Sequence, residues 1–287
     1  MIRFGPSGNS ESFYDQGYKT SLKMPLWLKN MGLNAYEYQC NKGVKISKIM
    51  AEQLGNEAKA NEVFLSIHAP YYISMASVEP EKRINSIKYI ISTLQAARWM
   101  GAKRIVIHTG SCGKVSREWA LQTAMQVFRE AIIQADEMGF SDINICPELL
   151  GKINQLGSLE EILEMCKIDE RIIPTIDFGH LHARGMGCLN TPNDFEYVLN
   201  QIENSIGYER LKIIHSHFSR IEFTSAGEKK HWTLADTQFG PNFEPLAEVL
   251  VKKKMEPVII CESRDCMAED ALKLKSIYEN AVELGIV

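Results

Sequence analysis

Eight short apolar runs, rich in β-branched residues, recur along the chain at residues 2–4, 35–39, 63–68, 104–108, 143–148, 172–177, 211–215 and 258–262. Between them lie stretches whose apolar residues fall at three- and four-residue intervals, at 46–54, 81–100, 117–138, 159–165, 194–202, 243–253 and 269–284, the pattern of amphipathic helices. Strands that are apolar throughout, rather than alternately, are buried on both faces, as in parallel sheets covered by helices. Glycine stands just past two of the helical stretches, at Gly101 and Gly139, where a left-handed cap stops a helix before the next strand. Eight such β-α units in 287 residues predict an α/β fold, a single (β/α)8 TIM barrel spanning residues 1–287. A doubly wound open sheet is the rival, but no G-x-G-x-x-G follows the first run and no Walker A sequence occurs.

Composition excludes several functions. With 32 Lys+Arg against 36 Asp+Glu, the net charge is −4, so there is no global basic footprint for nucleic acid, and any such binding needs a local patch or bound cations. The seven cysteines are odd in number, dispersed and nowhere spaced C-x-x-C, which predicts reduced, mostly buried thiols and no thiolate metal site. No apolar run is long enough to span a bilayer, and residues 1–6 read as strand rather than leader, so a cytoplasmic protein is expected.

The polar chemistry is concentrated at strand ends. The third to eighth runs finish in His68, His108, Glu148, Asp177, His215 and Glu262. In a TIM barrel all six converge on the C-terminal mouth, where active sites of this fold lie. His180, His182 and His217 follow two of these ends closely, and His231 lies further along the loop after the seventh run. Imidazoles and carboxylates without thiolate suit Zn²⁺, Mn²⁺ or Fe²⁺, and several carboxylates can bridge two ions. Two ions a few ångströms apart can clamp a phosphoryl or sugar oxygen, so phosphodiester cleavage is accessible without a basic surface.

In order and spacing, Ser66-Ile67-His68-Ala69-Pro70-Tyr71, Val106-Ile107-His108-Thr109-Gly110-Ser111, Pro147-Glu148, Ile176-Asp177-Phe178-Gly179-His180, His215, His231 and Ile260-Cys261-Glu262 resemble the signatures of endonuclease IV. These are the family 2 apurinic/apyrimidinic endonucleases, within the xylose isomerase-like TIM barrels. The resemblance implies a zinc cluster that incises duplex DNA on the 5′ side of an abasic site, leaving a 3′-hydroxyl, in a monomer with no membrane partner. It implies that His68 and His108 hold a first zinc and that Glu148, the catalytic residue, bridges to a second completed by Asp177, His215 and Glu262. His180 and His231 would hold a third. The family's aspartate two residues before that last histidine is replaced here by Lys229. A protonated lysine cannot be a ligand, so the expectation is two complete sites, with a third only if Glu228 or Asp236 substitutes, or with Lys229 itself supplying positive charge toward the leaving oxygen. Manganese is an alternative metal. His182 and His217 fall outside the family's ligand pattern and are expected to be hydrogen-bonding residues.

DNA contacts are expected from Tyr71 and Tyr72, placed where aromatic rings can stack on exposed bases, and from Lys229, Lys230 and the loop from Asn41 to Lys45 against phosphates. The alternative function is a divalent-metal sugar isomerase or epimerase using Glu148, Asp177, His215 and Glu262 alone, with the two glutamates exchanging protons with a ketose. A further alternative is a homologue that holds metal without turnover.

Overall fold

The computed structural model describes residues 1–285; residues 286 and 287, the last two of the expected domain, lie outside the described residues. Two four-stranded parallel sheets form the barrel. One contains β1 (Arg3–Pro6), β10 (Val258–Cys261), β7 (His215–Phe218) and β6 (Thr175–Asp177) in that order. The other contains β2 (Ala35–Gln39), β3 (Phe64–His68), β4 (Arg104–Ile107) and β5 (Asn144–Pro147). Parallel bridges Ser7–Glu37 and Glu148–Thr175 join the two sheets into a closed cylinder.

Closure at β1–β2 depends on Gly5. A Cβ there would sit 1.8 Å from the Ala35 carbonyl oxygen, so any other residue would push the strands apart. Inside the cylinder, Ala35, Val258 and Ile260 pack with Phe64, and Val106 packs with Cys146 and Ile173. Above this apolar layer the interior turns polar, with Glu37, Ser66 and His215 all buried.

The outer wall is helical. Helices α3 (Lys48–Ala60), α4 (Pro80–Met100), α5 (Arg117–Glu137), α6 (Leu159–Cys166), α8 (Pro192–Ile206), α10 (Glu244–Lys252) and α11 (Met267–Glu283) correspond to the expected amphipathic stretches, several running past the expected ends. On α4 the buried stripe is Ile87, Ile90, Leu94 and Ala97. Burying each large aliphatic side chain of this kind stabilises the fold by about 1.5–3 kcal/mol. The expected glycine stop at Gly101 is left-handed, with φ 69°.

Four helices were not expected: α1 (Glu11–Asp15), α2 (Met24–Met31), α7 (Phe178–Arg184) and α9 (Tyr208–Lys212). The last of these corrects the seventh strand. Leu211 belongs to helix α9 and the strand begins at His215, where the apolar run was expected to end. A hairpin of β8 (Arg220–Thr224) and β9 (Gly227–Trp232) then folds across the mouth where a loop was expected. The seven cysteines are unpaired, as expected, and five of them are buried. Among the described residues no helix is long and apolar enough to cross a membrane.

Candidate metal centre

His68 is the last residue of β3, and His108 and Glu148 stand immediately past β4 and β5. Glu148 Oε2 lies 3.1 Å from His68 Nε2 and 3.0 Å from His108 Nε2. The other oxygen of Glu148 faces the opposite way, 3.3 Å from His217 Nδ1 and 3.4 Å from His180 Nδ1. One buried carboxylate therefore touches four imidazoles.

Of four groups of possible ligands whose donor atoms lie within 4.8 Å of one another, three are at the mouth: His68–His108–Glu148, Glu148–Asp177–His217–Glu262 and His180–Glu228–His231. The second group departs from expectation. His217, and not His215, approaches Asp177 and Glu262, with Nδ1 at 4.0 Å and 3.4 Å from them. The later start of β7 explains this, because the residues facing inward are His215 one layer down and His217 at the rim. His215 turns its Nε2 to Glu37 at 2.9 Å instead.

The third group is completed by Glu228, and a β-bulge does it. Ile221 pairs with His231 and Glu222 with Lys230, but Phe223 pairs with Glu228, leaving Lys229 as the extra residue. In a regular strand residues two apart share a face; the extra residue brings Glu228 and His231, three apart, to one side. Lys229 is turned out to Glu222. Glu228 reaches within 3.5 Å of His180 and 3.7 Å of His231. The approach requires glycine on both sides, since a Cβ on Gly151 would lie 2.6 Å from that of Glu228 and one on Gly227 would lie 2.2 Å from the Gly151 carbonyl oxygen. Asp236 takes no part; its carboxylate caps the amides of Gln238 and Phe239.

Histidines of the centre are held from behind. His68 Nδ1 meets the Ala69 carbonyl at 2.9 Å, His180 Nδ1 the Leu149 carbonyl at 3.0 Å, and His231 Nδ1 the Ser219 hydroxyl at 2.8 Å. A carbonyl accepts only a proton, so the free nitrogens of His68 and His180 point at carboxylates and leave a lone pair facing an anion. That arrangement requires a proton or a cation between them. His180 and His182 sit on α7, whose N-cap is Asp177: Asp177 Oδ1 accepts from the His180 amide at 2.7 Å. His182 points away from the centre and accepts from the Leu189 amide at 3.1 Å.

Electrostatics agree with a cation-holding site. Burial pushes the Glu148 carboxyl up, but His108 and His217 outweigh it and hold it well below the usual carboxylate range. Burial drives the Asp177 carboxyl above its ordinary range, against the pull of His180. For His68, burial is overcome by Glu148 and the imidazole is pushed up to about 9. Asp177 Oδ2 is fully buried without a hydrogen-bond donor. Orphaned buried carboxylate oxygens are costly, and one aimed into a ring of imidazoles fits a divalent ion. The donor set, nitrogen and carboxylate oxygen without thiolate, suits zinc or manganese.

The centre floors a cleft of about 430 Å³ at the barrel mouth, whose rim includes Tyr71, Asn41 and Lys152. Tyr71 and Tyr72 are half-exposed, with ring centroids 4.7 Å apart, and the Tyr71 amide bonds the Asn41 carbonyl, so the tyrosines and the lysine-bearing loop of Lys42 and Lys45 form one side of the rim. Lys230 lies over the Trp232 ring at 3.8 Å on the other side. A larger groove of about 970 Å³ opens at the other end of the strands, beside Arg3, Phe64 and Lys103, away from the metal-capable groups.

Comparison with known proteins matches the xylose isomerase-like TIM barrel family model over residues 25–279. The chain belongs to the xylose isomerase-like TIM barrel family. An uncharacterized protein of Methanocaldococcus jannaschii is 31% identical over 278 residues, covering 97% of each chain. A probable endonuclease 4 of Listeria welshimeri is 28% identical over 219 residues, covering 74% of this chain and 70% of that one. Among solved structures, Thermus thermophilus endonuclease IV superposes with TM-score 0.69 at 18% identity, covering 98% of this chain and 99% of its own. A D-tagatose 3-epimerase-like protein superposes with TM-score 0.72 at 20% identity, covering 99% and 98%. At these identities the structural likenesses show the shared barrel.

Proposed function

We propose that this family member is a metal-dependent endonuclease that hydrolyses the DNA phosphodiester 5′ to abasic sites. The observation that carries the reading is the sharing of Glu148 between the His68–His108 pair and the Asp177–His217–Glu262 group, with His180–Glu228–His231 alongside. A single-ion sugar isomerase or epimerase would use the Glu148–Asp177–His217–Glu262 quartet and would leave His68 and His108 without work. The relationship to endonuclease 4 proteins points the same way.

His68, His108 and Glu148 would hold one ion, Glu148, Asp177, His217 and Glu262 a second, and His180, Glu228 and His231 a third. Bound there, zinc or manganese supplies Lewis-acid charge to a phosphodiester and lowers the pKa of water toward neutrality. Glu148 would serve two of these ligand sets, with Oε2 facing His68 and His108 and Oε1 facing His217 and His180.

Exposure sets the direction of approach. Asp177, His217 and Glu148 are at most 1% exposed, whereas the side chains of His108 and His231 are 25% and 24% exposed at the two ends of the cluster. A phosphate would therefore enter over His108 and His231, between the tyrosine rim and the Lys230–Trp232 rim. Tyr71 and Tyr72 would stack on bases left unpaired by the lesion, and the exposed Lys229 and Lys42 would meet phosphates. The protein would act as a single-domain monomer.

The test is strand nicking. Zinc-loaded protein is given an end-labelled duplex with one stable abasic-site analogue, the undamaged duplex, and a panel of ketoses. Incision just 5′ to the analogue, lost in Glu148→Ala, is expected; ketose conversion without incision would transfer the site to the epimerase class.

A further inference from the structure

Beneath the centre, on β2, lies an acidic residue that no motif marks. Glu37 is fully buried in the barrel interior, one layer below the mouth. Its Oε2 accepts from the Ser66 hydroxyl at 2.9 Å and lies 2.9 Å from His215 Nε2; its Oε1 accepts from the Gln39 side-chain amide at 3.2 Å and lies 3.1 Å from His217 Nε2, a charge contact at an angle too bent for a hydrogen bond, and that buried nitrogen has no other partner among the described residues. Ser66, Gln39 and His215 are its hydrogen-bonding partners, and an ionised carboxylate, with two oxygens and about four lone-pair sites, keeps capacity for the His217 Nε2–H beside Oε1.

We propose that Glu37 is a positioning residue for the metal centre, fixing His217 as the Nε2–H tautomer so that Nδ1 presents its lone pair to the site shared with Glu148, Asp177 and Glu262. His68 and His180 show the same device with a weaker partner, a backbone carbonyl behind each ring, and His231 has a hydroxyl in that place. His217 has a carboxylate in that place. A carboxylate behind a ligating imidazole fixes its ring and raises its basicity toward the metal. Glu37 also reaches a second ligand of the same ion: Gln39 donates to the Ser7 hydroxyl at 2.7 Å, and that hydroxyl donates to Glu262 Oε1 at 3.1 Å. His215, taken from sequence as a ligand, becomes the buttress that holds Glu37 from the floor.

The same three residues, Glu37, His215 and His217, also satisfy the spacing of a metal-binding group. The His215 hydrogen bond, complete burial and the hydroxyl and amide donors already on both carboxylate oxygens favour the buttress over a further ion.

This inference rests on the metal-centre reading but not on the DNA substrate, and its test reads metal and protons rather than cleavage. Zinc affinity is measured by chelator competition, and the cobalt-substituted protein by its visible absorption, for wild type, Glu37→Gln and the milder Ser66→Ala. Glu37→Gln is expected to weaken one ion by about 10–100-fold and shift the cobalt spectrum. Ser66→Ala should move both the same way by less, and the ion at His68 and His108 should be unchanged. Long-range ¹H–¹⁵N spectra of the histidines in the wild-type chain, free of metal and zinc-loaded, give a second reading that does not depend on any variant folding, and His217 protonated at Nε2 is expected. Wild-type affinity and spectrum in folded Glu37→Gln, or His217 protonated at Nδ1 alone, would overturn the proposal while leaving the centre intact. Failure of the wild-type chain to bind any divalent ion would overturn the centre itself and this role with it.

Discussion

Removing a carboxylate that serves two ligand groups should abolish the stabilisation from two ions, and removing one that serves a single group should abolish it from one. Glu148 belongs to two of the three groups at the mouth, whereas Glu228 belongs only to the group with His180 and His231. At free zinc one hundred times its Kd, each site stabilises the folded chain by about 2.7 kcal/mol. For a long chain 1 kcal/mol moves the melting midpoint by about 2 °C, so each filled site should raise Tm by roughly 5 °C. Thermal melts in saturating zinc and in chelator should therefore differ by roughly 15 °C in wild type, 10 °C in Glu228→Gln and 5 °C in Glu148→Gln. The ratio of the increments matters more than their size. If Glu148→Gln lost no more of the zinc increment than Glu228→Gln, the bridging role derived from the contacts of its two oxygens would be wrong.

Lys229→Asp puts a carboxylate at a position the bulge turns toward Glu222, so zinc equivalents by mass spectrometry should stay unchanged; an added equivalent would show that the bulge does not hold. Glu161 accepts from the amides of Gly157 and Ser158 and from Arg117, each at 2.8 Å; burial raises its carboxyl, but these partners outweigh it and leave it below the usual range. That stabilisation is complete above the ordinary carboxylate range and lost as pH falls through the lowered value. Glu161→Gln should thus melt below wild type at neutral pH and converge with it in acid, and a gap independent of pH would refute the assignment. Replacing Tyr71 and Tyr72 by alanine should weaken binding of an abasic duplex by roughly tenfold per lost stacking ring, with metal content unchanged; equal loss of zinc would make the tyrosines structural.

The barrel was legible because its signal is repeated. Seven of the eight parallel strands lie within the runs expected for them or within a residue or two of their bounds, and His68, His108, Glu148, Asp177 and Glu262 stand where such runs end. The seventh strand misled for a physical reason. The run from Leu211 to Ile214 is as apolar as a strand, yet Leu211 closes a helical turn against the wall and pairing begins only at His215. Because side chains alternate in and out, that shift moved the ligand assignment down one layer, from His217 to His215. The hairpin carrying Glu228 and His231 was missed because its strands, Arg220–Thr224 and Gly227–Trp232, are largely polar and lie over the mouth rather than in the core. Glu228 was legible only as one of two substitutes; choosing it over Asp236 required the bulge. Glu37 gave no signal at all, since a lone glutamate among tyrosines in Ala35–Gln39 reads as the exposed side of a strand until its partners on β3 and β7 are known.

The most direct test of the central claim, that one barrel mouth holds several ions through a shared glutamate, is the zinc content of reconstituted, gel-filtered protein by inductively coupled plasma mass spectrometry. Three equivalents per chain are predicted, one for each ligand group at the mouth, falling to two in Glu228→Gln and to one in Glu148→Gln. A single equivalent in wild type, kept when His68 and His108 are replaced by alanine and lost in Asp177→Asn, would contradict the account and identify a one-ion site.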